Sequence, residues 1–243
     1  MRYFVVFSYI GTDFHGSQTQ PNGITVQETM ESAFATILRT PIALTFAGRT
    51  DAGVHARQMV AHFDTESIVH GALLTDHLNS LLPASIAIQD IYAVADDMHA
   101  RFSATARTYE YHITEVKNPF LRGLAAQVAP GLDYERMNDA AATLIGTQDF
   151  ASFCKVHTDV KTTFCTITEA HWERLGEHEA VFTITANRFL RNMVRAIVGT
   201  LMDVGRGKMS VENFRRVIAD HNRCAAGQSA PAEGLYLTKV VYD

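Results

Sequence analysis

The feature that most constrains this chain is the order in which its apolar residues change period. Residues 2–10 (RYFVVFSYI) are β-branched and aromatic and stop at Gly11, as a strand does. After a loop of turn formers, Thr25 precedes the helical stripe Val26, Met30, Ala33, Phe34 and Ile37, with Glu28 placed to complete a capping box. Strands over 42–47 and 58–64, a helix over 71–81 and a strand over 86–94 follow. The order β-α-β-β-α-β is the split βαβ plan.

The second half repeats this alternation with insertions. Its periodicity predicts a strand over 107–116, a helix over 134–144, strands over 165–174 and 180–186, helices over 189–204 and 211–219, and a final strand over 235–241. The expected architecture is therefore α+β: two ferredoxin-like halves, 1–100 and 101–243, joined in one continuous mixed or antiparallel sheet with helices on one face. No Gly/Ser linker or low-complexity tract separates the halves.

A chain of 243 residues buries roughly 70–75% of the surface its unfolded form exposes, so it needs no staples. Its three cysteines, Cys154, Cys165 and Cys224, are odd in number and far apart, which fits neither a disulfide framework nor a zinc cluster. A reducing compartment is the simplest expectation. The apolar N-terminus is short and alternating with no small-residue cleavage site, and no run reaches membrane-spanning length, so a cytoplasmic protein is expected.

A net charge of −5 taken alone argues against a nucleic-acid partner. The basic residues, however, are 16 Arg to 5 Lys, and guanidinium is the better fork for phosphates and the better stacker on bases. Acids cluster apart from them, at Asp90, Asp96 and Asp97 and at Glu169, Glu173, Glu177 and Glu179, which leaves room for a segregated basic face.

Three segments carry candidate chemistry. In GRTDAGVHA, 48–56, Asp51 follows a predicted strand between Gly48 and Gly53. Glycines permit a tight turn, so the carboxylate could project from a rigid strand end as a nucleophile or general base. It could equally cap the turn through its own backbone. His55 and His62 near it match no standard ligand spacing, so no metal is expected. In the helix expected over 189–204, Arg188, Arg191 and Arg195 recur at spacings of three and four without interleaved glutamates, a stripe able to reach phosphates or a carboxylate. In ARFSATARTYEYHI, 100–113, the side chains of Arg107, Tyr109 and Tyr111 share one strand face. Such a face suits a flipped base, or an ordinary set of cross-strand aromatic pairs.

Six segments together resemble the TruA-type tRNA pseudouridine synthases. They are YIGTDFHGSQTQ with TVQETME, FAGRTDAGVHA, ARFSATARTYEY, DFASF, FLRNMVRAIVG and APAEGLYL, in family order and across nearly the whole chain. The resemblance implies an isomerase that converts uridine to pseudouridine at positions 38, 39 and 40 in the anticodon stem and loop of tRNA, by base flipping and with neither metal nor organic cofactor. It implies a homodimer with RNA crossing a basic cleft. It implies that Asp51 is the essential aspartate, nucleophile or base, and that Arg195 pairs with the catalytic carboxylate. Tyr109 then packs on the target base, Arg49 enters the space the base vacates, and Leu235 supplies apolar lining; Arg191 and Arg107 complete the expected substrate-binding set. Where many relatives have a tryptophan, this chain has Ser17, expected to lie outside the chemical core. A non-catalytic RNA-binding module gains nothing from a carboxylate near phosphates, and a hydrolase using Asp51 lacks a phosphate loop or metal carboxylates.

Overall fold

A computed structural model describes residues 1–155 and 161–243. The elements are β1 (Arg2–Tyr9), α1 (Val26–Leu38), β2 (Thr45–Phe46), β3 (His55–Asp64), α2 (Gly71–Leu81), β4 (Ile86–Val94), β5 (Ala104–Thr114), β6 (Ala126–Gln127), α3 (Tyr134–Ala142), β7 (Gly146–Asp149), β8 (Phe164–Arg174), β9 (Glu179–Ala186), α4 (Met193–Gly205), α5 (Val211–Ala219) and β10 (Leu235–Tyr242). The class is α+β, with mixed strand pairing.

The chain forms two compact units, Met1–Thr105 with Tyr236–Asp243, and Ala106–Leu235. This differs from a division into 1–100 and 101–243, because the last strand returns to the first unit. There β10 runs parallel to β3, Tyr236 opposite His55 and Leu237 opposite Ala56. The Gln58 side chain accepts from the Val240 amide at 2.9 Å, and Tyr242 packs on Phe4 at 5.0 Å.

In the first unit, β1 lies antiparallel between β3 and β4. The strand expected over 42–47 shortens to β2, two residues opposite His62 and Ala61. The reason lies in α1, whose side chains take the backbone groups a longer ladder would use: Glu31 accepts from the Leu44 amide at 2.9 Å and Gln27 donates to the Leu44 carbonyl at 3.1 Å. Helix α1 starts where the sequence places it, with Thr25 Oγ1 accepting from the Glu28 amide. It buries Val26, Met30, Ala33 and Phe34. Phe34 meets Phe63 edge-on at 5.1 Å, and Phe63 stacks on Tyr3.

The other face of β3 is also covered. His62 is 6% exposed, its Nδ1 accepts from the Ala100 amide at 3.1 Å, and its ring meets His99 edge-on. Burial, followed by the nearby Arg2 and His99 charges and opposed by Asp64, lowers its pKa from 6.5 to about 4. Between those values the unfolded chain binds a proton that the folded chain refuses, so stability falls as pH drops through this window, on the order of 3 kcal/mol in all. His62→Asn, which keeps an acceptor for Ala100, is expected to flatten the change in urea midpoint between pH 7.5 and pH 5. An unchanged slope would place the acid sensitivity elsewhere. The Asp64 carboxyl, held down by its hydrogen bond to Arg2, acts only at lower pH.

In the second unit the strands pair in the order β5-β9-β8-β7, antiparallel throughout, with β6 parallel to β5. Every residue of α4 except Arg195 and Asp203 is buried, the signature of a helix surrounded by core. The helix expected over 189–204 begins only at Met193, since Asn192 sits at φ 65 and breaks the helical path. Arg188 and Arg191 therefore lie on the loop before α4, and only Arg195 belongs to the helix; the expected three-arginine helix stripe does not form. Tyr111 is fully buried and donates to the Pro231 carbonyl at 2.9 Å, so it is a core residue.

Candidate active site

In the first unit the quoted turn is built against the loop that follows β1. Asp51 is half-buried between exposed Arg49 and Ala52, and its carbonyl accepts from the Val54 amide at 3.2 Å, closing the turn. Of the two flanking glycines only Gly53 needs its freedom, with φ +79; a side chain at Gly48 would meet open space at ordinary φ.

Thr50, directly before Asp51, is 8% exposed. Its amide donates to Ser17 Oγ at 2.8 Å, its carbonyl accepts from the Ser17 amide at 3.2 Å, and its hydroxyl lies 2.8 Å from the Tyr9 hydroxyl. Ser17 is thus fully buried against the residue beside Asp51, close in space to that candidate carboxylate. Gly16, at φ +91, allows this approach, for a Cβ there would come within 2.9 Å of the Thr50 carbonyl. His55, at the start of β3, is fully buried; its Nδ1 accepts from the Gly11 amide at 3.0 Å and its ring packs on Tyr236 at 4.5 Å. It is a structural histidine. Among the described residues no group of three or more His, Cys, Asp or Glu could hold a metal ion.

The second unit holds the other expected site residues. Arg195 Nε donates to the Ala230 carbonyl at 2.8 Å while the Ala230 amide donates back to the Arg195 carbonyl at 2.9 Å. This reciprocal pair fastens the 226–230 segment along α4, where the Gly227 amide also donates to Thr200 Oγ1. The bond to Ala230 uses one of the five guanidinium donors. Tyr109 on β5 is half-buried and meets Phe189 edge-on at 5.1 Å, so its ring is braced from the side. Arg107 donates to the Asn187 carbonyl at 2.8 Å. Arg191 is exposed on the loop before α4, its carbonyl accepting from the Lys155 amide. Leu235 is buried, 6% exposed.

The residues that sequence reasoning missed are the supports: Ser17, Thr50 and Tyr9 around the Asp51 turn, and Ala230 against Arg195. All four lie in segments already singled out, Tyr9 and Ser17 in YIGTDFHGSQTQ, Thr50 in FAGRTDAGVHA and Ala230 in APAEGLYL, but only the contacts give them a purpose.

With this geometry in view, the comparisons with known proteins are specific. A family model described as tRNA pseudouridine synthase matches residues 5–103 and 140–243. The tRNA pseudouridine synthase A of Bacteroides thetaiotaomicron is 54% identical over 243 residues, covering 99% of this chain and 90% of its own. That of Porphyromonas gingivalis is 54% identical, covering 99% and 97%. That of Bacillus licheniformis is 42% identical over the whole of both chains. The match runs through both compact units and includes Asp51, Tyr109 is outside it, and Arg195 is inside it. The chain belongs to the tRNA pseudouridine synthase family.

Proposed function

We propose that this protein isomerises uridine to pseudouridine at positions 38, 39 and 40 in the anticodon stem and loop of tRNA. The observation that carries this reading is the place of Asp51: at the end of a clamped turn, inside a family match that runs through both units. In the reaction the bond from ribose C1′ to N1 breaks, a bond from C1′ to C5 of the same base forms, the C5 proton leaves and N1 gains one. Atoms balance without an oxidant or co-reactant.

The proposal gives Asp51 the nucleophile or base in cleavage of the glycosidic bond and gives Arg195 the counter-charge for that carboxylate. Tyr109 packs on the detached base, which must turn in the site without escaping. Arg49, exposed beside Asp51, fills the gap that the flipped base leaves in the stem. Arg107 and Arg191 contact the phosphates, and Leu235 lines the base pocket. These roles rest on the residues' positions in the six segments that resemble the family, Arg107 and Tyr109 lying in ARFSATARTYEY, outside the residues that the family model matches.

The same reading makes the working form a homodimer in the cytoplasm, with no metal or small-molecule cofactor. Cys154, Cys165 and Cys224 are all free thiols, which supports a reducing compartment. Among the described residues no helix is long and apolar enough to cross a membrane.

The test is release of tritium to water from a tRNA transcript labelled at C5 of uridine. Release confined to tRNAs with uridine at the three positions is the expected outcome. Tight tRNA binding with no release from any transcript would favour a non-catalytic RNA-binding protein.

A further inference from the structure

Thr50 is gripped through all of its polar groups, and each grip comes from the Tyr9–Ser17 segment. The Ser17 hydroxyl takes the amide at 2.8 Å, the Ser17 amide takes the carbonyl at 3.2 Å, and the Tyr9 hydroxyl takes Oγ1 at 2.8 Å. The amide belongs to the peptide entering Thr50 and the carbonyl to the peptide entering Asp51, so two consecutive peptide planes are fixed and with them the Cα of Asp51.

The gripping segment is itself anchored. The carbonyls of Gly16 and Ser17 accept from the amides of Val26 and Gln27, at 3.3 and 3.0 Å. These are the first two amides of α1, which have no partner within the helix. The Gly11 amide is tied to His55 Nδ1 at the other side of the turn. Rigidity thus passes from the N-terminus of α1 through Ser17 to the turn.

We infer that Ser17 is a positioning residue for Asp51, its hydroxyl setting the direction from which the carboxylate enters the reaction. The inference rests on the reading of Asp51 as the reacting carboxylate. Serine suits the place because its oxygen accepts; a tryptophan at this position carries a donor only and could not take the Thr50 amide.

The experiment compares single-turnover tritium release and tRNA affinity for wild type, Ser17→Ala, Ser17→Thr and Asp51→Asn. Ser17→Ala is expected to lose roughly ten- to a hundredfold in single-turnover rate, with tRNA affinity within about twofold of wild type by the same positioning argument. Ser17→Thr, which keeps the hydroxyl, is expected to recover most of the rate. Should Ser17→Ala not give folded protein, Ser17→Cys, which nearly keeps the size but replaces the hydroxyl oxygen by a weak acceptor, is expected to show the same loss of rate at unchanged affinity. A wild-type rate in whichever of these two variants folds overturns the inference, as does a loss explained wholly by a smaller folded fraction. Turnover by Asp51→Asn would instead sink the reading of Asp51, which separates the two failures.

Discussion

Asp51→Asn is expected to fold, to bind tRNA with affinity close to wild type, and to release tritium from C5-labelled tRNA at least about a thousandfold more slowly. The amide is nearly the same size and keeps one carbonyl oxygen, so the turn, closed by backbone between Asp51 and Val54 and clamped through Thr50, should be undisturbed. What is lost is the negative charge and the second acceptor, both of which a nucleophile or a base requires. Unfolding temperature and tRNA affinity measured beside the rate make the result readable. Turnover within tenfold of wild type would remove Asp51 from the chemistry and leave it as a turn-capping residue.

Gly199→Ala is expected to destabilise the protein, although in an exposed helix the same change is worth about 1 kcal/mol in the opposite direction. Gly199 is fully inside α4, and a Cβ there would lie 1.8 Å from the Gln228 carbonyl oxygen and 3.2 Å from the Ala230 amide nitrogen. These are backbone atoms, which cannot swing aside as the end of a side chain can. Overpacking of this kind costs roughly 1–3 kcal/mol or more, which outweighs the propensity gain. For a protein of this size each kcal/mol moves the unfolding temperature by roughly 2–4 °C, so a fall of about 3–8 °C in Tm is expected. The strain falls on the 226–230 segment, whose Ala230 exchanges hydrogen bonds with Arg195, so the rate of tritium release should drop as well. A Tm equal to or above wild type would mean that the segment yields freely.

How much of this was legible in the sequence differs from element to element. Helix α1 was legible because its signals are local: a capping threonine and apolar residues at the spacing of one helix face. The arginine stripe was misread because spacing of three and four implies a helix only where the backbone continues, and Asn192 at positive φ stops it. Strand β2 was overextended because side chains of α1 satisfy Leu44 in place of a ladder, and no local pattern announces a competing partner. Asp51 was legible as a candidate from its turn and as a functional residue from its motif. Ser17 was not, since a small polar residue in a turn-forming loop reads as solvated until the turn it supports is seen packed against it.

The sequence by itself determined the α+β class, most element positions, the family and the position of the candidate carboxylate, because these depend on periodicity within short windows and on motifs of adjacent residues. Only the tertiary structure decided that β10 joins β3 in parallel, that Arg195 alone of its stripe stands on α4, and that Thr50 hangs from Ser17 and Tyr9. The first and the last of these are contacts between residues far apart in the chain, selected by which buried backbone groups still lacked a partner, a competition settled only when the whole unit has packed; the second follows from the left-handed turn at Asn192.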